Sequence, residues 1–117
     1  MKVLIHHIYE YRKGLRSLVM HTLPASLTEA ATTKLRHFGI EYHLQQCLSG
    51  KVNIYFGKPE CVAVVRRITH SRKLVEMTPE EDFMLGSMLG YGMQIQCERY
   101  LKKSGAFPVA LSVQNCA

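Results

Sequence analysis

From Leu15 to Ile68 the chain runs through strand, helix, strand, tight turn, strand and helix signals, and few folds accept that order. Ser17 to Thr22 is an apolar, β-branched run that Pro24 breaks. Ser26 with Glu29 three residues on predicts a capping box, in which hydroxyl and carboxylate satisfy orphan N–H groups reciprocally. Leu27, Ala30, Ala31, Lys34, Leu35 and Phe38 follow helical spacing, and Gly39 supplies a left-handed stop. Ile40, Tyr42 and Leu44 then alternate with Glu41, His43 and Gln45, as a half-buried strand requires. Ser49-Gly50 separates that run from Val52–Phe56, a hairpin signal. Gly57-Lys58-Pro59-Glu60 reads as a helix entry that Val62, Val65, Arg66 and Ile68 continue, with a strand through Val62–Val65 as the competing reading.

Strand–helix–hairpin–helix opens a ferredoxin-like split βαβ unit, in which the first strand lies beside the third. The expected fold is therefore α+β, a small three-stranded antiparallel sheet packed with about five helices. The tail AFPVALSVQNCA offers a short fourth strand over Val109 to Val113. Without it one sheet edge stays bare unless another chain covers it, which argues for a homodimer.

The flanks supply the remaining helices. Leu4, Ile8, Tyr11 and Leu15 predict one helix face within residues 3–13, ended by Gly14, although Lys2 to Ile5 also reads as a strand. Thr78-Pro79-Glu80-Glu81 combines a capping Thr, a Pro at the first helical position and a carboxylate at the third. That helix should turn Phe83, Met84, Met88 and Leu89 inward and break at Gly90 or Gly92. A last helix from about Tyr91 to Lys103 should end at Gly105, with Lys102 and Lys103 at its negative pole. Gly86 and Gly90 match G-x-x-x-G, which lets helices approach closely.

A chain of 117 residues is expected to form a single domain over 1–117. Its 47% apolar content excludes general disorder. The longest mostly apolar stretch, Phe83 to Ile95, falls short of the ~20 residues a membrane helix needs. His6, His7 and Glu10 interrupt any secretory leader, so a soluble, cytoplasmic protein is expected. Cys47, Cys61, Cys97 and Cys116 show neither C-x-x-C nor zinc spacing, and reduced structural thiols fit best.

Fifteen Lys and Arg against nine Asp and Glu give a net charge of +6, which favours acidic partners. The densest positive patch is a basic linker holding Arg66, Arg67, Arg72 and Lys73 with His70; joined by Arg12, Lys13 and Arg16 it is expected to dock an acidic protein. The acidic run Glu76, Glu80, Glu81 and Asp82 follows closely and offers an internal alternative. If Leu18, Met20, Tyr42, Leu44, Ile54 and Phe56 face the helices, then Val19, His21, His43, Gln45, Asn53 and Tyr55 face away. His21, His43, Gln45 and Tyr55 on that face are candidate ligand-binding residues, because imidazole titrates near neutrality. The competing expectation is that a terminal helix or a second subunit covers the face and pairs its polar groups. Only Tyr55 could serve as a base-stacking platform, so nucleic acid is the weaker partner class. His6 and His7 with Glu10 lack an evident third protein ligand, and neither metal nor cofactor is expected. Nucleophile elbow, phosphate loop and dinucleotide fingerprint are all absent from the sequence. An interaction module is thus the leading class, ahead of an enzyme or small-molecule binder.

The segments HHIYEYRKGLRSLVMHT, TPEEDFMLGSMLGY and QCERYLKK resemble a family of small bacterial proteins known as Domain of Unknown Function 2023. The resemblance covers nearly the whole chain. It implies a three-stranded, five-helix α+β fold that dimerises, and it supplies no catalytic residues. It also implies genes placed beside flavodoxins, whose acidity would suit a basic partner.

Overall fold

The computed structural model describes residues 1–70 and 76–105, which fall into two compact units, the first ending at His70 and the second beginning at Glu76. The first holds α1 (Lys2–Arg12), β1 (Leu18–Pro24), α2 (Thr28–His37), β2 (Glu41–Gln46), β3 (Lys51–Gly57) and α3 (Pro59–Thr69). The second is a helical hairpin of α4 (Pro79–Met88) and α5 (Met93–Lys103). The α+β class stands, with the antiparallel sheet in the order β1-β3-β2 that a split unit demands. The residues proposed for a fourth strand, Val109 to Val113, lie outside the described residues.

Local chemistry sets most element ends. Gly39 takes φ +67 beyond α2, as its sequence position requires, and the β2–β3 loop places both Ser49 and Gly50 at positive φ. Gly57 closes β3 where a Cβ would collide with the Ser17 carbonyl, and that carbonyl accepts from Lys58 N–H at 2.9 Å. Thr78 and Glu81 form the expected capping box, with Pro79 in the first turn.

Several expectations give way to the tertiary fold. Ser26 and Glu29 make no box: a 3-10 turn over Ala25–Leu27 intervenes, Leu27 is the N-cap of α2, and no side chain caps it. Leu15 lies past the end of α1 and is exposed, and Met84 faces outward while Leu85 is buried in its place. The basic linker begins later than expected, since Arg66 and Arg67 belong to the last turn of α3 and Thr69 ends that helix.

The sheet is packed on both faces. Val19 and Leu23 of β1, with Ile54 and Phe56 of β3, join Leu4 and Ile8 of α1 and Ala31 and Leu35 of α2 in one core cluster, each nearly inaccessible. Burying each such Leu or Ile contributes about 1.5–3 kcal/mol relative to exposure. On the other face α3 lies on β2 and β3, burying Val62, Val65 and Ile68.

Candidate functional site

The register fixes which side chains share a face. Val19 pairs with Phe56 and His21 with Ile54, while Met20 pairs with Tyr55 and Tyr55 with His43. Directly opposed residues project to the same side. His43, Gln45, Asn53 and Tyr55 therefore share a face, as expected, but with Leu18, Met20 and Thr22 of β1. Val19 and His21 lie on the opposite face, so β1 is turned over relative to the sequence reading. The physical reason is that both sides of LVMHTL are apolar enough to bury: Leu18 and Val19 are each 1% exposed or less.

Three of the four candidate ligand-binding residues are thus brought together, and two of them, Gln45 and Tyr55, bond to each other. Gln45 Oε1 accepts from the Tyr55 hydroxyl at 2.7 Å and from Asn53 Nδ2 at 3.3 Å. Asn53 Oδ1 in turn accepts from the Thr22 hydroxyl at 2.6 Å. His43 stacks on Tyr55 with ring centroids 6.2 Å apart, and its Nε2 lies 3.0 Å from Thr69 Oγ1 at the end of α3. Helix α3 packs over this face of β2 and β3, whereas the N-terminal helix α1 joins the core on the opposite face. Burial and the neighbouring Arg66 charge hold the His43 pKa below its ordinary value.

His21 sits elsewhere, with its ring 5.6 Å from that of His7 on α1. His7 Nδ1 contacts Glu10 at 3.3 Å, and His6 Nε2 lies 3.9 Å from the same carboxylate. Burial first, then the charges of His7 and the N-terminal ammonium, lower the His21 pKa. No group of three His, Cys, Asp or Glu side chains able to hold a metal occurs among the described residues. Cys47, Cys61 and Cys97 are free thiols.

Four cationic residues contact three aromatic residues. Arg36 of α2 donates to the Tyr42 hydroxyl at 2.9 Å, and Arg66 of α3 donates to the Tyr42 carbonyl at 3.2 Å. The Arg12 guanidinium lies 4.2 Å from the centroid of Phe38, and Lys13 Nζ lies 5.5 Å from that of Tyr9. Arg67 is exposed, and Arg72 and Lys73 lie outside the described residues. Among the described residues Arg12, Arg36 and Arg66 have no carboxylate within ion-pair distance. Sequence reasoning singled out Arg12 and Arg66 and missed Arg36, Phe38 and Tyr42. The basic end of α2 (Lys34, Arg36, His37) was a visible signal, but only the turn into β2 carries it to Tyr42.

In the second unit Glu80, Glu81 and Asp82 of the acidic run have local partners. Asp82 takes both Arg99 Nε and an Arg99 terminal nitrogen, at 2.8 and 3.0 Å, with Lys103 at 3.9 Å. Glu80 accepts from the Tyr100 hydroxyl at 2.8 Å, which raises that phenol's pKa, and Glu81 completes the capping box. Phe83, Cys97, Tyr100 and Leu101 line an apolar groove of about 500 Å³ beside Glu80. Among the described residues no helix is long and apolar enough to cross a membrane.

No curated protein matches the chain. A family model described as "Protein of unknown function (DUF2023)" matches residues 2–103, which contain every described helix and strand. The chain belongs to that family.

Proposed function

We propose that the protein is a homodimeric cytoplasmic interaction module that docks an acidic protein, with a flavodoxin as the partner suggested by the family resemblance. The observation that carries this reading is the pair of guanidiniums, Arg36 and Arg66, held on the two ends of Tyr42 with no carboxylate partner among the described residues. Arg12 on Phe38 and the exposed Arg67 extend the positive surface, and Arg72 and Lys73 add positive charge a few residues further along the sequence. Guanidiniums held by a hydrogen bond, as Arg36 and Arg66 are, or by an aromatic face, as Arg12 is, lose less conformational freedom when they meet carboxylates than free side chains would. The polar side chains of the sheet face bond to one another under α3, which favours docking over a ligand site at His43. Among the described residues no further strand pairs with the outer edges of the sheet, which supports the dimer.

Titration with a purified acidic flavodoxin tests the reading. Binding should weaken steeply between 0.05 and 0.5 M salt, because the Debye length shrinks through about 8 Å near physiological strength. Replacing Arg66, Arg67, Arg72 and Lys73 by Ser should weaken it at least tenfold. Submicromolar binding of generic RNA, abolished by the same replacements, would assign the charge to nucleic acid instead.

A further inference from the structure

Among the described residues the order β1-β3-β2 leaves two outer edges, and the hydrogen-bond alternation identifies what each presents. Cys47 N–H donates to the Lys51 carbonyl at 2.9 Å. In the antiparallel β2–β3 ladder this makes Cys47, Gln45, His43 and Glu41 the residues whose backbone faces β3. Tyr42, Leu44 and Gln46 then point their N–H and C=O groups outward. The 3.2 Å contact of Arg66 with the Tyr42 carbonyl agrees, since that oxygen is free of the ladder. By the same alternation, set by Lys58 N–H on the Ser17 carbonyl, β1 turns Leu18, Met20, Thr22 and Pro24 outward. Pro24 has no N–H to offer, whereas β2 contains neither proline nor lysine.

We propose that the β2 edge is the homodimer surface, with two copies of β2 pairing antiparallel about a two-fold axis at Leu44 to form one continuous six-stranded sheet. This inference rests on the homodimer reading above and assigns its surface. The strand is self-complementary in that register. Leu44 faces Leu44 of the second copy, Tyr42 faces Gln46, His43 faces Gln45 and Glu41 faces Cys47. Leu44 is 37% exposed in the single chain, and self-pairing covers it. Charge also matches. In the row of side chains holding Glu41 and Cys47 of the second copy, the next residue is that copy's Lys51, because Lys51 opposes Cys47 across its own hairpin. Two strand spacings, about 10 Å between backbones, are within joint reach of a Glu and a Lys side chain across a small Cys. The axis creates this pair twice. The arginines at Tyr42 are kept off their symmetry mates, since the two Tyr42 backbones lie about 13 Å apart along the strands. The Tyr42 carbonyl has two lone pairs, so Arg66 keeps its contact with that oxygen while Gln46 N–H of the second copy takes the other.

The test combines mass with two cross-links. Light scattering of the native protein should return twice the chain mass at micromolar concentration, and Leu44→Lys should return one chain mass with an unchanged circular dichroism spectrum. Carbodiimide should join Glu41 to Lys51 in the dimer band only. Within one chain these residues sit at opposite ends of β2 and β3, about 20 Å apart, and cannot be joined directly. In a Cys97→Ser, Cys116→Ser background, Leu44→Cys should oxidise to a covalent dimer, because directly bonded antiparallel residues lie ~5.5 Å apart, within disulfide range. A dimer that gives neither link, or that oxidises at Met20→Cys instead of Leu44→Cys, overturns this surface and leaves the homodimer reading standing. A native protein of single-chain mass overturns both.

Discussion

The His43 imidazole donates to Thr69. The Thr69 hydroxyl has one proton and gives it to the Val65 carbonyl at 2.8 Å, so its contact with His43 Nε2 at 3.0 Å must run from the ring to the oxygen. Neutral His43 is therefore the Nε2–H tautomer, with its lone pair on Nδ1. This one bond ties β2 to the last turn of α3.

Thr69→Val should remove that tie without changing side-chain volume much. Thr69 is 4% exposed, and an imidazole N–H that loses its partner costs about 1–2 kcal/mol. Chemical denaturation should show a loss of that size, and nitrogen chemical shifts of the His43 ring should show the Nε2–H tautomer in the parent. A parent ring protonated on Nδ1 alone would contradict the assignment.

Stability should fall as the solution is acidified through the histidine range. Both His21 and His43 have native pKa values below the ordinary 6.5, with burial as the largest cause. The unfolded chain binds these protons first, so acid favours unfolding. The contribution is whole above about pH 6.5, declines as the pH drops below it, and levels off beneath the native pKa values. His21→Gln should flatten part of the slope in urea midpoints measured from pH 7.5 to 5, and a slope unchanged by both His21→Gln and His43→Gln would refute it.

Gly86→Ala should destabilise the α4–α5 hairpin by about 1–3 kcal/mol through overpacking, because the added methyl overlaps the amide end of Gln96. Gln96 is 3% exposed and has little room to retreat. The Gln96→Ala change should relieve much of that cost, so a double-mutant cycle should return a coupling of about 1 kcal/mol or more. Gly90→Ala meets no atom and should cost only the left-handed backbone term, about 1–2 kcal/mol.

Gly57→Ala should be the most damaging single-methyl change in the first unit. Its Cβ would enter the Ser17 carbonyl and press on the Leu18 backbone, neither of which is a side chain that can swing aside. Losses of 3 kcal/mol or more in thermal or urea unfolding are expected, at the upper end for overpacking. A variant within 1 kcal/mol of the parent would show that β1 and β3 separate easily at this end.

Much of the fold was legible because its signals are local. Thr78, Pro79 and Glu81 start α4 wherever that segment is placed, since capping needs only backbone N–H groups within one turn. Gly39 and the Ser49-Gly50 pair act through their own φ angles. Pro59 opens α3 as expected and overrides the β-branched Val62–Val65 run. Ser26 and Glu29 had the same letters as a box, but a 3-10 turn took their place.

The sequence by itself determined where most of the elements lie, that they follow a split-unit order, and that a polar set lies on β2 and β3. Only the tertiary structure decided which way β1 faces, what covers His43, and which cations meet at Tyr42. Alternation names a buried face when one side is polar, and β1 is apolar on both, so its pairing with Phe56 and Tyr55 had to choose. His43 is closed in by Thr69 and Tyr42 is bracketed by Arg36 and Arg66, contacts that cross 26, 6 and 24 residues of chain. Such contacts form only when α2 and α3 have packed on opposite faces of the sheet, a result of burying apolar surface that fixes the position of every polar side chain carried along with it.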